Sequence, residues 1–126
     1  MRDFRKLVAW QKADDLVVMV YQATESFPSH EQFGLTSQMR RAVVSVAANI
    51  AEGCGRHTLK DFRRFLYLAR GSLNEVEYFI HLAARLDYFS ESKTRSVMSH
   101  CHETGRVLQG LINSLTEQIQ GGRKYN

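Results

Sequence analysis

The sequence is poor in residues that interrupt helices and in residues that cross-link chains. It has one proline, Pro28, and eight glycines in 126 residues, which is unlike a disordered or collagen-like composition. Its two cysteines, Cys54 and Cys101, stand far apart, which argues against a disulfide framework and a structural zinc site. No apolar run approaches the ~20 residues that cross a bilayer, and no signal-peptide region follows the first residues. We therefore expect a cytosolic protein with reduced thiols and no membrane partner.

The residues that are present suit one globular domain. Apolar residues make up 44% of the chain and charged residues 24%, and a chain of this length fits one compact domain. We place the domain at residues 1–120 and expect residues 121–126 to form a frayed C-terminal tail. The 17 Lys and Arg outnumber the 13 Asp and Glu, an excess that suits nucleic acid, an acidic partner or solubility alone.

Apolar residues recur at steps of three and four along four segments, as they do in amphipathic helices. The first segment covers residues 7–26 and ends before a turn at Pro28, and the second covers residues 36–53. The third covers residues 58–86, and the fourth follows an N-cap at Ser90. No segment alternates like a strand. The sequence therefore predicts an all-α protein, an antiparallel up-down-up-down four-helix bundle with short connections.

Each predicted helix has an apolar seam that we assign to the core. The seam of the first helix is Trp10, Ala13, Val17, Val20, Thr24 and Phe27, and that of the second is Met39, Val43, Val46 and Ile50. The third helix has two adjacent seams: Phe62, Leu66, Ala69, Leu73, Val76, Ile80 and Ala83, and beside it Phe65, Leu68, Ser72, Glu75, Phe79, Leu82, Leu86 and Phe89. Such a wide arc indicates either contact with another subunit or one thick intramolecular core. The glycines of Gly53-Cys54-Gly55 are expected to close the second helix in a left-handed conformation.

The residues typical of catalytic and metal sites lack the spacing that such sites need. Di-iron bundles require Glu-x-x-His on two helices, and this pattern is absent. Glu77 and His81 are one turn apart, but an exposed acid–imidazole pair is the commoner explanation. Cys54 would need a lowered pKa to act as a nucleophile, which a thiol in a helix-ending turn does not ordinarily have. We predict no catalytic residue, no metal and no cofactor.

Positive charge is concentrated in the middle of the chain. From Arg40 to Arg70 there are seven cations and two anions, so this segment carries +5 and the remainder −1. Such a patch can contact phosphates, and the candidate nucleic-acid-binding residues are Arg56, Lys60, Arg63, Arg64 and Arg70. A solvated helix face is the alternative, and we identify no exposed aromatic residue interleaved with these cations.

Polar residues also stand where apolar ones are expected. The set consists of Arg41, Asn49 and Glu52 on the second helix and Ser72 and Glu75 on the third. One interpretation is a polar network, with Glu52 or Glu75 pairing with Arg41 or Arg56, that fixes the register between helices or subunits. The other is a ligand pocket.

Several motifs, in order, resemble those of a known family. They are LVAWQKA at residues 7–13, FPSHEQFGL at 27–35, QMRRA at 38–42, SVAANIAEGCG at 45–55 followed by Arg56, and FLYLARGSLNE at 65–75. Together they resemble the bacterial four-helix-bundle proteins first recognised as products of intervening sequences within 23S ribosomal RNA genes. The resemblance runs from about residue 3 to residue 115. Asp87 stands where the family would have a glycine before Tyr88.

This resemblance implies a homopentamer and does not imply an enzyme. A related branch, the accessory variability proteins of diversity-generating retroelements, consists of basic pentamers that engage nucleic acid and a reverse transcriptase. The motif positions in this sequence are Asn49, Glu52, Gly53, Arg56, Ser72 and Glu75.

Our leading hypothesis is a non-enzymatic, homo-oligomeric helical scaffold, pentameric by resemblance. Its basic patch would bind RNA or a nucleic-acid-associated protein. The alternative is a small-molecule-binding or enzymatic bundle that uses Asn49, Glu52, Arg56 and Glu75 in a polar cleft at the subunit interface.

Overall fold

The computed structural model describes residues 2–125 and the side chains as far as residue 122, and it confirms an all-α fold of four helices. The helices are α1 (Val8–Thr24), α2 (Leu35–Cys54), α3 (Leu59–Arg85) and α4 (Glu91–Tyr125), with 3-10 turns at Phe4–Lys6 and Ser29–Glu31. No strand occurs within residues 2–125. In that range, no helix is long and apolar enough to span a membrane.

The helices form a closed ring of packed pairs, because α1, α2, α3 and α4 each pack on the next and α4 packs on α1. Contacts between α3 and α4 occur in reversed order along the two helices. Arg63 near the start of α3 bonds to Thr116, whereas Glu77 further along bonds to His102. These helices are therefore antiparallel, and Thr24 beside Arg40 and Arg2 beside Cys54 show the same reversal between α1 and α2.

The predicted tail falls partly beyond the described residues. Helix α4 continues to Tyr125, so residues 121–125 are helical in backbone conformation. The side chains after residue 122 and all of residue 126 lie outside the description. Fraying of residues 121–126 stays a prediction.

The first seam of α3 is confirmed, since all seven of its residues are buried. The predicted seam of α1 is confirmed at Ala13, Val20, Thr24 and Phe27, which are buried, and is wrong at two positions. Ala9, Leu16 and Ala23 are buried, while Trp10 and Val17 lie at the edge of the core. Alanine side chains let α1 approach its neighbours closely, and the bulkier Trp10 packs on Phe4 at 4.9 Å between ring centroids.

The ends of α3 and α4 agree with the sequence. Thr58 Oγ1 accepts a hydrogen bond from the Asp61 amide at 3.1 Å, and Ser90 Oγ accepts one from the Lys93 amide at 3.0 Å. Both are side-chain N-caps that satisfy amides left free in a first helical turn.

The expectation of a left-handed glycine at the end of α2 is wrong. Within the described residues no glycine has a positive φ, and Gly55 has φ −85°. Gly53 instead lies inside α2 where α3 approaches closely, so that an added Cβ would stand 2.7 Å from the Cβ of Phe65. The left-handed residue is Asp87, with φ 59°, which explains why a glycine is expected there.

Candidate nucleic-acid interface

The contacts of the predicted basic residues divide them into two groups, one around the ring of Phe65 and one around the ring of Tyr67. Arg56 and Arg64 stack on Phe65, which packs against Gly53 of α2. The other three, Lys60, Arg63 and Arg70, share a second helical face. The name Phe65 cluster is used below for the first group together with the residues that contact it: Glu52, Arg56, Asp61, Arg64 and Phe65. The name Tyr67 face is used for the second group, which consists of Lys60, Arg63, Tyr67 and Arg70.

The arginines of the Phe65 cluster are paired with carboxylates. Arg56 Nη2 lies 2.6 Å from Glu52 Oε1, and Arg64 Nε lies 2.9 Å from Asp61 Oδ1. Both guanidinium carbons stand 4.5 Å from the Phe65 ring centroid. Two positive charges therefore meet two negative ones, and the cluster adds little net charge to the surface.

Backbone contacts tie this cluster to the framework. Arg2 Nη1 donates to the carbonyl oxygen of Arg56 at 2.9 Å and stacks on the ring of Phe62. Arg56 Nε is buried, and it lies 3.7 Å from Asp61 Oδ2, beyond hydrogen-bond distance. The cluster thus fastens the N-terminal segment and the connection between α2 and α3.

The arginines of the Tyr67 face are held by uncharged acceptors on α4. Arg63 Nη1 donates to Thr116 Oγ1 at 3.1 Å, and Arg70 Nη1 donates to Gln109 Oε1 at 2.9 Å. Neither arginine forms an ion pair with a carboxylate of the described residues. A hydroxyl and an amide carry no negative charge, so they do not neutralise an arginine. Both guanidinium groups therefore keep a positive charge that an anion can contact.

Tyr67 is a functional candidate that the sequence analysis missed. Its side chain is 42% exposed, and the Arg70 and Arg63 guanidinium carbons lie 4.8 Å and 6.0 Å from its ring centroid. The statement that no exposed aromatic is interleaved with the cations was therefore wrong. The signal was present, since Tyr67 follows Arg63 by four residues and precedes Arg70 by three, which places all three on one helix face.

Lys60 extends the Tyr67 face toward the start of α3. It is exposed, and it precedes Arg63 by three residues. The steps from Lys60 through Arg63 and Tyr67 to Arg70 are therefore three, four and three, the spacing of one helical stripe. No residue of the described chain makes an ion pair with Lys60.

The structure divides the predicted polar network into separate contacts. Asn49 Nδ2 donates to Ser45 Oγ at 3.0 Å, and Ser45 Oγ lies 2.9 Å from Ser72 Oγ. This chain of hydrogen bonds joins α2 to α3. Arg41 and Glu75 line an open groove of about 280 Å³ on the same side, and no hydrogen bond joins them in the described structure. Glu52 pairs with Arg56 in the Phe65 cluster.

Neither cysteine has the environment of a nucleophile. Both thiols are free and buried. Burial raises the pKa of the Cys54 thiol, and it raises the pKa of Cys101 to about 12. A reactive thiol requires a shift in the opposite direction.

The acid–imidazole pair that forms is not the one suggested by sequence spacing. Glu77 Oε1 lies 2.6 Å from Nε2 of His102 on α4, rather than pairing with His81 one turn away. In the described part of the chain, no group of three or more His, Cys, Asp or Glu side chains could hold a metal ion.

The second seam of α3 is partly uncovered, since Phe79 and Leu82 pack against the core at its edge while two leucines are exposed. Leu68 is 48% exposed and Leu86 45%, and Val44 on the adjoining side of α2 is 41% exposed. Only Phe89 of this seam is buried, through its contact with Phe27. The bundle core thus accounts for the first seam, and apolar side chains remain exposed along the second.

These features define a class: a small four-helix protein with charge-neutral arginine pairs around one aromatic ring of its third helix and uncompensated arginines around another. The chain belongs to the family of 23S rRNA-intervening sequence proteins, whose family model matches residues 5–110. Its fold is similar to the crystal structure of a protein of unknown function from the S23 ribosomal protein family of Bacteroides thetaiotaomicron VPI-5482. That comparison gives a TM-score of 0.76 and 25% identity, and covers 84% of this chain and 96% of the other. No curated protein matches this chain.

Proposed function

We propose that this protein is a non-enzymatic, homo-oligomeric scaffold that binds nucleic acid through the Tyr67 face. The observation that supports this proposal is the nature of the acceptors that hold Arg63 and Arg70. Their hydrogen bonds to Thr116 and Gln109 fix the position of each guanidinium without neutralising its charge. With Lys60, they offer three cations on one stripe to a phosphate backbone.

A reverse transcriptase as a further partner follows only from the resemblance to retroelement accessory proteins and stays a prediction.

The test is RNA binding measured by fluorescence anisotropy at about 50 and 200 mM salt. The informative variant is Arg63→Ala/Arg70→Ala, which removes two uncompensated charges. We expect weaker binding and a salt-dependence slope reduced by about 1.4, since each lost contact to a single strand contributes about 0.7.

The matched control is Arg95→Ala/Arg106→Ala. It removes the same number of positive charges from α4, but each of these arginines is paired with a glutamate, Glu91 or Glu103. The slope should stay near that of the unmodified protein. Absence of RNA binding by the unmodified protein at the lower salt concentration would contradict the proposal and favour a nucleic-acid-associated protein as the partner.

Assembly is the second part of the proposal. We assign the α2–α3 side, with Val44, Leu68 and Leu86, to the contact between subunits, because exposed apolar side chains on neighbouring helices are typical of interfaces. Five copies follow from the family resemblance. A five-fold ring joins two different surfaces of neighbouring copies, so the α2–α3 side would contact another surface of the next subunit, and binding through the Tyr67 face requires that this surface lie elsewhere.

Sedimentation velocity tests the assembly. We expect a mass of five times the 14.5 kDa of one chain, and dissociation by Leu68→Glu, because a carboxylate cannot be buried in an apolar contact without a partner. Gln118→Glu on the exposed side of α4 is the control for added charge. A monomeric unmodified protein at micromolar concentration would contradict the assignment.

A second candidate function rests on the grooves beside α2. One groove, of about 550 Å³, is lined by Arg40 and Arg41, and it adjoins the smaller groove that contains Arg41 and Glu75. A small anionic molecule would fit this charge distribution. Native mass spectrometry of the purified protein tests the alternative, because a bound molecule lost in Arg41→Ala and retained in Arg95→Ala would support it.

A further inference from the structure

We infer that the Tyr67 face selects single-stranded nucleic acid by stacking an unpaired base on the ring of Tyr67. This inference rests on the proposed function, and it specifies the form of nucleic acid that the same surface recognises.

The ring of Tyr67 lies between two cations. Arg63 and Arg70 are seven residues apart, which corresponds to about 10 Å along a helix axis. Tyr67 lies between them on the same stripe and is 42% exposed. A surface that contacts phosphates alone needs no aromatic side chain. A ring between two phosphate-binding groups suits a strand whose base turns toward the protein while its backbone stays with the arginines.

Only an unpaired base can reach this ring. The bases of a duplex are stacked and paired, so their faces are closed to a side chain unless a nucleotide is flipped out. The Tyr67 face lies along the α3–α4 surface, where Arg63 and Arg70 contact Thr116 and Gln109. Stacking on Tyr67 therefore requires a single strand, a loop or a bulge.

The stacking platform, Tyr67 with the Arg70 guanidinium, exists before a ligand binds. The Arg70 guanidinium carbon is 4.8 Å from the Tyr67 ring centroid, and its bond to Gln109 fixes it there. A guanidinium plane and an aromatic ring both accept stacked bases. Because the side chains are already ordered, binding loses less conformational entropy than it would with free arginines.

Amide groups beside the platform can contact base edges. Gln109 Nε2 donates to Asn113 Oδ1 at 3.0 Å, which leaves the Asn113 NH2 group without an acceptor among the described residues. Side-chain amides are suited to hydrogen bonding with base edges, and unstacked bases present those edges. The Phe65 cluster differs in that its two arginines are paired with carboxylates.

The experiment measures anisotropy with three DNA probes of equal length, about 12 nucleotides: oligothymidylate, an abasic strand with the same backbone, and a duplex. The proteins are the unmodified chain, Tyr67→Ala, Tyr67→Phe and the control Tyr78→Ala. Tyr78 is also exposed on α3, and its described aromatic contacts are with Phe79 and His81 rather than with an arginine.

We expect the unmodified protein to bind oligothymidylate about tenfold more tightly than the abasic strand, since stacking one base contributes about that factor. Tyr67→Ala should remove this difference, while Tyr67→Phe and Tyr78→Ala should keep it. The salt slope of Tyr67→Ala should equal that of the unmodified protein, because no charge is removed.

Equal affinity of the unmodified protein for oligothymidylate and the abasic strand would overturn the inference, and so would a duplex that binds as tightly as oligothymidylate. Either result with binding intact would leave the proposed function standing. No binding to any probe or to RNA would overturn both. The abasic comparison uses the unmodified protein, so the inference stays falsifiable even if Tyr67→Ala does not fold.

Discussion

The Phe65 cluster and the Tyr67 face contain similar components around two rings of one helix. Each has an aromatic ring of α3 with two arginines near it. They differ in what accepts the arginine hydrogen bonds: carboxylates in the first, a hydroxyl and an amide in the second. The comparison teaches that the partner of an arginine, rather than the presence of an arginine, decides whether its charge is available to a ligand.

This difference changes the meaning of the charge distribution. The segment from Arg40 to Arg70 carries +5 in total, and the sequence presents it as one patch. In the structure, Arg56 and Arg64 are paired with carboxylates, whereas Arg63 and Arg70 remain uncompensated charges. The two clusters should therefore respond differently to substitution.

The largest expected effect tests the structural role of the Phe65 cluster. Gly53→Ala should destabilise the protein by about 2 kcal/mol, because overpacking a closely packed contact costs about 1–3 kcal/mol. The added Cβ would lie 2.7 Å from Phe65 Cβ and 3.1 Å from the Phe62 carbonyl oxygen. Urea denaturation measures the change.

Gly71, one residue after Arg70 on α3, provides the matched control. No atom outside its own helical backbone lies within 4 Å of the position of an added Cβ. Gly71→Ala should stabilise the protein by about 1 kcal/mol, since alanine is the better helix former. If both substitutions changed stability in the same direction, the contrast between a packed and an open side of α3 would be wrong.

An intermediate effect comes from making the Phe65 cluster resemble the Tyr67 face. Asp61→Asn removes the carboxylate that pairs with Arg64 and lies near Arg56. We expect a loss of about 0.5 kcal/mol, as is typical for an exposed ion pair, and a steeper salt dependence of RNA binding because positive charge is released. Denaturation and anisotropy measure the two changes. A salt slope equal to that of the unmodified protein would show that these arginines do not reach the ligand.

The smallest expected change in stability comes from a carboxylate that is bound by an uncharged donor, the reverse of an arginine bound by an uncharged acceptor. The Tyr88 hydroxyl donates to Glu31 Oε2 at 2.8 Å and lowers the pKa of Glu31 from its ordinary value of 4.5. A lowered folded-state pKa adds stability above the unfolded value, and this stability is lost as the pH falls through the folded value. Tyr88→Phe should therefore lower stability at neutral pH.

The difference between Tyr88→Phe and the unmodified protein should shrink in acid, where Glu31 is protonated. Urea denaturation at neutral pH and at about pH 3, below the unfolded value, makes the comparison. A difference that is independent of pH would mean that Tyr88 acts through packing on Phe27 rather than through the carboxylate.

Periodicity was sufficient to predict most of the fold. Met39, Val43, Val46 and Ile50 of α2 and the first seam of α3 are all buried as expected. The hydrophobic pattern of α1 wrongly placed Trp10 and Val17 in the core. Hydrophobicity favours these larger residues, whereas close packing selects the smaller Ala9 and Ala23. The role of Gly53 depends on the distance between α2 and α3, which a local sequence pattern does not contain.

The candidate site was predicted less well, because its chemistry depends on residues distant in sequence. The acceptors of Arg63 and Arg70 lie 53 and 39 positions away on α4, and no local pattern connects them. Tyr67 could have been found by its spacing from the two arginines. Its exposure depends on the rotation of α3 against α4, which only the folded structure provides.

The bonds from α3 to α4 have a thermodynamic consequence. The Tyr67 face is assembled only when the two helices are docked, so a ligand that recognises this face binds the native state and not the unfolded chain. Ligand and folding are then linked, and a ligand at 100 times its dissociation constant raises the free energy of unfolding by about 2.7 kcal/mol. A bound strand would stabilise the contact between α3 and α4. Slower hydrogen exchange of the amides in these two helices would then show that the ligand is bound.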